Sequence, residues 1–191
     1  MSVRLRLGEL SLEANSQLWS VDERGEEPVL QLTGHTHVEH IRDSQVALIE
    51  YAGNDYSVEA EMRFLANYLP DPSAGWFGFA LRAQDFMNYE VVWFIPGARR
   101  GFTVAYVPVA HGIVPWWTEA YETQEKGTIP LPKDDWFNAR ADVKGNTFSI
   151  FVNGQFVLEK KLTYFIESGR PGFFVGTATD AAFRRVRVQA L

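Results

Sequence analysis

Residues 76–95 read WFGFALRAQDFMNYEVVWFI, and this stretch decides the fold. On a strand, residues two apart share a face, so the segment reads as two apolar strands around the turn-forming residues AQDFMNY. Setting Arg82 opposite Glu90 pairs Leu81 with Val91, Phe79 with Trp93 and Phe77 with Ile95, a face that belongs to a core. The opposite face then carries Gly78 beside Phe94, Ala80 beside Val92, and the charge pair Arg82 and Glu90. Two very small residues beside one ion pair leave room for a ligand.

Outward from the hairpin the same grammar repeats. Tyr56, Val58, Ala60, Met62 and Phe64 alternate with Ser57, Glu59, Glu61 and Arg63, the pattern of a strand with one buried face. Short strands are expected at 26–32, 38–41 and 45–51, and a further one at 102–109, where Pro108 pushes its end to an edge or bulge. Phe137, Ala139, Ala141 and Val143 form the buried side of another strand. The turn Lys144-Gly145-Asn146 leads back into TFSIFV, and Asn153-Gly154, a strong hairpin signal, leads into QFVLEKK. GRPG at 169–172 reads as a turn before the strand FFVGT, and 180–190 closes the chain with Val186 and Val188 facing away from Arg185 and Arg187. Trp76, Trp93 and Trp136 are expected in the core. No stretch has helical periodicity. Many short strands joined by close turns predict an all-β jelly-roll sandwich of two antiparallel sheets, with a barrel as the alternative.

A chain of 191 residues, 46% hydrophobic and 22% charged, suits one domain spanning residues 1–191. A net charge of -6 argues against nucleic acid or an anionic membrane as partner. The basic pairs Arg99-Arg100 and Lys160-Lys161 and the set Arg184, Arg185 and Arg187 read as solvated turns and strand faces. There is no cysteine, hence no disulfide and no thiolate chemistry. Arg4, Arg6 and Glu9 interrupt the apolar run a signal peptide needs, so the expected location is cytoplasmic, with secretion as part of a longer precursor left open.

The segments GFALRAQDFMNYEVVWF, DDWFNARADVKGNTFSIFVNGQFVLEKK and SGRPGFFVGTATDAAFRRVRV together resemble the concanavalin A-like lectin and glucanase superfamily. More narrowly, they resemble its laminin-G-like and 3-keto-disaccharide hydrolase-type bacterial sandwiches. The resemblance implies a curved sheet whose concave face binds carbohydrate, and in some members a structural calcium; no other cofactor is expected. It covers the C-terminal two thirds of the chain and carries architecture before chemistry.

The candidate substrate-binding residues are Arg82, Asp85, Asn88, Tyr89, Glu90 and Phe94 of the hairpin, with Trp116 and Trp117 from the long aromatic segment after it. Sugars present hydroxyls to planar polar groups and C–H faces to aromatic rings, and this set offers both. The competing reading makes Arg82–Glu90 a solvated salt bridge, Asp85 and Asn88 turn formers, and the tryptophan pair a lid on the core. His35, His37, Glu39 and His40 have the composition of a metal cluster, set against ordinary polar alternation on an exposed strand. Retaining glycosidases need two carboxylates about 5 Å apart. Laminarinase-type members of the superfamily that the chain resembles carry theirs in a Glu-x-Asp-x-x-Glu run, which is absent here: Glu59 and Glu61 share a face but lack the third acid, and Glu119 and Glu122 form no such set. The leading expectation is a non-catalytic carbohydrate-binding domain on the concave face. One alternative is a glycoside or keto-sugar hydrolase with Glu90 as the acid and Arg82 holding substrate. The other is a protein-interaction domain or homodimer using the Trp116 segment.

Overall fold

The computed structural model describes residues 2–36, 44–69, 75–96, 103–114, 126–165 and 167–191. The first elements are β1 (Val3–Leu7), β2 (Leu10–Ala14), β3 (Trp19–Asp22), β4 (Val29–Leu32), β5 (Gln45–Ile49) and β6 (Tyr56–Asn67). The hairpin strands β7 (Phe77–Asp85) and β8 (Asn88–Phe94) follow, then β9 (Val104–Val109) and β10 (Lys126–Gly127). The chain closes with β11 (Phe137–Lys144), β12 (Thr147–Val152), β13 (Gln155–Lys161), β14 (Arg170–Val175) and β15 (Thr179–Ala190). One sheet has the order β1-β2-β5-β14-β7-β8-β9-β10 and the other β13-β12-β11-β6-β15-β4-β3, with every ladder antiparallel. This is the jelly-roll sandwich expected of the alternating pattern.

The strands with the cleanest alternation set the second sheet. Phe137 pairs with Met62 and Val143 with Tyr56, so the apolar faces of β11 and β6 coincide and Glu59, Glu61, Asn138 and Arg140 point outward together. Asn153 and Gly154 take φ of 48° and 77°, the left-handed pair that a two-residue hairpin turn demands. Between the sheets lies a core built around Trp19, Phe77, Phe79, Phe94, Phe148, Phe173 and Phe183. Phe173 and Phe183 bridge the two sheets with ring centroids 4.4 Å apart.

The central hairpin differs from expectation by one residue of register. Phe77 pairs with Phe94, Gly78 with Trp93, Phe79 with Val92, Ala80 with Val91 and Leu81 with Glu90. Between Leu81–Glu90 and Asp85–Asn88 the β7 side carries two extra residues, a bulge that includes Arg82 at a φ of 52°. The turn is therefore Phe86-Met87 alone. A one-residue slip moves every β8 side chain to the other face. Phe94 and Val92 join Phe77, Phe79 and Leu81 in the inter-sheet core, and Val91, Trp93 and Ile95 face the other way.

That other face is not an open groove. Ala80, Val91, Trp93, Val107 and Phe174 are all completely buried there, in a second apolar cluster that includes Trp76 and Tyr89. Trp76 and Trp93 meet edge to face, centroids 5.9 Å apart. The small residues serve close packing: a Cβ on Gly78 would run into the Val92 carbonyl oxygen.

Residues 170–172 of GRPG lie within β14, because a bulge after Arg170 accommodates Pro171 and Gly172 pairs with Leu48 and Ala80. Trp136 is not core; it lies half-buried with the Arg184 guanidinium 4.3 Å from its ring centre.

Candidate functional site

Arg82 and Glu90 form no pair with each other, yet both are withdrawn from solvent, Arg82 at 1% exposure and Glu90 at 0%. A buried charge persists only where hydrogen bonds replace its water. The bulge turns Arg82 toward the 144–146 turn and the segment before β14. Its Nη2 donates to the Gly145 carbonyl at 2.7 Å and its Nη1 to the Glu167 carbonyl at 3.2 Å, with the Asp55 carboxylate 3.5 Å away. Its backbone N–H donates to the Tyr56 hydroxyl at 3.0 Å, and burial pushes that phenol's pKa up. Gly169 passes so close that a Cβ would strike the Arg82 backbone.

Glu90 does the complementary work. Its Oε2 accepts the Tyr106 hydroxyl at 2.6 Å, and its Oε1 accepts the backbone N–H groups of Tyr164 at 2.6 Å and Phe165 at 2.9 Å. The Tyr106 hydroxyl in turn accepts the Thr163 N–H at 2.8 Å. Burial first, and then the neighbouring Glu90 carboxylate, push the Tyr106 phenol far up. The acid thus holds N–H groups of the segment after β13 while the arginine holds a carbonyl of the same segment. Two charges that sequence spacing placed in a binding cleft are instead the anchors of one loop.

This loop forms one wall of a shallow groove. Gln84, Tyr164, Phe165, Glu167 and Ser168 line a groove of about 520 Å³. The Tyr164 side chain is 54% exposed, a large ring left in water, and the half-buried Phe165 ring backs it edge to face at 6.3 Å. Gln84 Nε2 donates to the Arg82 carbonyl at 3.0 Å and the Ser168 carbonyl at 2.6 Å, which fixes the amide with its oxygen still available. Glu167 and Ser168 are exposed on the same rim. An aromatic platform, a fixed amide and a carboxylate around a shallow groove can stack a sugar ring and receive its hydroxyls. Proton transfer is less well served. Glu167 is the one carboxylate among these lining residues, and Glu90 behind them has both oxygens engaged and no solvent access.

The remaining sequence candidates fall elsewhere. Phe94 is fully buried against Phe137, 5.4 Å between ring centres. Asp85 Oδ1 accepts the Met87 N–H at 2.7 Å and the Asn88 side-chain amide at 2.9 Å, and Asn88 Oδ1 accepts the His111 N–H at 3.1 Å, so both residues build the turn. Tyr89 is buried at the wall of a separate cavity of about 240 Å³ that also touches Asn15, Ser44 and Phe86. Burial raises its phenol pKa. Trp116, Trp117, Glu119 and Glu122 lie outside the described residues, as do His37, Glu39 and His40. His35 is buried; its N–H and that of Gly34 donate to Asp180, at 3.0 and 2.9 Å, and Asp180 also accepts the Tyr68 hydroxyl at 2.9 Å. Among the described residues no group of three His, Asp or Glu side chains is placed to hold a metal ion.

Tyr164 carries no sequence signature of its own. It sits in LTYFI, an apolar run that reads as the end of a strand. The groups that hold it are far off in the chain, and only the tertiary structure shows them.

No family model matches the chain, and no curated protein does. Solved structures do match it. The carbohydrate binding module CBM66 from Bacillus subtilis has a TM-score of 0.69 at 15% identity, over 94% of this chain and 95% of that one. A Bacillus subtilis protein of unknown function with a galectin-like fold has a TM-score of 0.62 at 12% identity, covering 99% and 98% of the two chains. The GH43 BlXynB protein from Bacillus licheniformis has a TM-score of 0.58 at 15% identity, over 94% of this chain but 37% of that one. At these identities the likeness establishes the fold: a concanavalin A-like sandwich, shared with galectin-like and carbohydrate-module proteins.

Proposed function

We propose that the chain is a non-catalytic carbohydrate-binding domain that receives its ligand at the Tyr164 groove. The observation that carries this reading is the half-exposed Tyr164 ring, whose own backbone N–H is tied to the buried Glu90 carboxylate. A ring held on a rigid base stacks against a sugar without first losing the freedom of a mobile loop. The fold likeness to a module named for carbohydrate binding adds support by analogy. The face considered from sequence, beside Gly78 and Ala80, is filled with buried apolar side chains.

Binding is favoured over hydrolysis because a glycosidase needs a second carboxylate facing the first, and Glu90 is shut behind the loop. The test is a panel of neutral oligosaccharides, followed both by titration calorimetry and by release of reducing ends. Saturable heat without product supports the binding domain. Product that disappears in Glu167→Gln would replace it with an enzyme, and a panel silent in both readouts would remove the carbohydrate reading.

A further inference from the structure

A second groove, of about 540 Å³, is not part of the Tyr164 groove. It lies against residues 185–189 of β15, between Pro28 and the β1–β2 turn at Leu7–Leu10. Its position follows from an early break in a ladder. On one side β15 pairs with β6 as far as Ala190. On the other it pairs with β4 only through Ala181, Ala182 and Phe183. The residue before β4 is Pro28, which has no N–H to give, and opposite it β15 bulges at Arg185, whose φ is 51°. Beyond that point, among the described residues, no strand covers the second edge of β15.

A strand edge without a neighbour leaves backbone N–H and C=O groups directed sideways, which is a template for a further strand. The side chains are arranged for one. Val186 and Val188 are partly buried at the margin of the inter-sheet core with Leu5 and Leu10, so that end of the core is not closed. Arg185 is engaged by Glu27 and Glu61, both at 2.8 Å, but Arg187 is exposed and has no ion pair among the described residues.

We propose that this edge takes an extended peptide from another protein as an added antiparallel strand. Apolar side chains at alternate positions would cover Val186 and Val188, and an acidic residue on the outer side would meet Arg187. A second copy of β15 fits worse, because antiparallel self-pairing centred on Arg187 sets like charges opposite each other. Five residues of strand span about 17 Å, enough for two inward side chains and the acid between them. This site is independent of the saccharide reading.

The test is fluorescence anisotropy with a labelled nine-residue peptide alternating valine and threonine around a central glutamate. Two controls carry the backbone argument: the same peptide N-methylated on alternate amides, in each of the two registers. The expected result is saturable binding that one methylated register weakens about tenfold or more and the other leaves intact. Arg187→Glu should shift preference from the glutamate peptide to its lysine counterpart. Absence of saturation at millimolar peptide, or equal binding of both methylated forms, would overturn the proposal. So would a concentration-dependent dimer in sedimentation that the peptide does not dissociate, which would assign the edge to a second copy.

Discussion

The Tyr164 amide donates to Glu90 Oε1 at 2.6 Å across 74 residues of sequence. This bond fixes an exposed aromatic ring from beneath, while Arg82 holds the Glu167 carbonyl a few residues further on. Glu90 and Arg82, though unpaired with each other, thus hold from behind the loop that carries the proposed saccharide groove.

Replacing Glu90 by Gln keeps the shape of the side chain but puts an N–H₂ group where acceptors are needed. Either Tyr106, or Tyr164 and Phe165 together, then lose their acceptor. The expected cost is about 2 kcal/mol of stability, read from urea unfolding. Faster amide exchange at Tyr164 and Phe165 should accompany it. Unchanged exchange there together with unchanged stability would mean that Glu90 does not anchor the loop.

Gly78→Ala distinguishes a packed face from a ligand cleft. The new Cβ meets the Val92 carbonyl oxygen and lies 3.0 Å from the Trp93 Cα, both backbone atoms of the paired strand. A loss of about 3 kcal/mol or more is expected, the range of severe core overpacking. Ala at Gly145 gives the scale for a turn: φ is 56° but nothing lies within 4 Å, so about 1 kcal/mol is expected. If Gly78→Ala were fully stable and lost only saccharide affinity, that face would be the binding surface after all.

The outer face of β6 should give the protein an acid-sensitive term. Partial burial works to raise the Glu61 pKa, but hydrogen bonds from Arg184 and Arg185, with their charges, outweigh it and hold the carboxyl below its usual value. A depressed folded pKa stabilises the protein above the unfolded value near 4.3, and the benefit is lost as pH falls through the folded value. Stability should thus drop on acidification below about pH 4.5, and Glu61→Gln should reduce that drop. Thermal unfolding at pH 7 and pH 3.5 measures it; identical pH slopes in the two proteins would contradict the assignment.

Much of the architecture is legible in the residues themselves. Alternation in β6 and β11 sets both faces correctly, because a strand half-exposed on one side must alternate, and Asn153-Gly154 announces its turn by the φ values it alone takes cheaply. The central hairpin misleads for a physical reason. Both of its faces are apolar and buried, so alternation no longer indicates which way β8 points, and a bulge at Arg82 shifts the register unseen. VRLRL of β1 alternates as clearly as β6 and pairs along its length with β2. The site is the least legible part. Tyr164 looks like any strand-end tyrosine until Glu90 and Arg82 are seen to hold its loop.

The most direct measurement is calorimetric titration of the tightest saccharide in the panel against the wild-type protein and Tyr164→Ala, with urea unfolding of both. Because the ring is exposed and its backbone bond to Glu90 survives the substitution, stability should stay within about 0.5 kcal/mol. Affinity should fall about tenfold or more, the weight of one lost aromatic stack. Equal affinity in two equally stable proteins would contradict the account and move the ligand away from the Tyr164 groove.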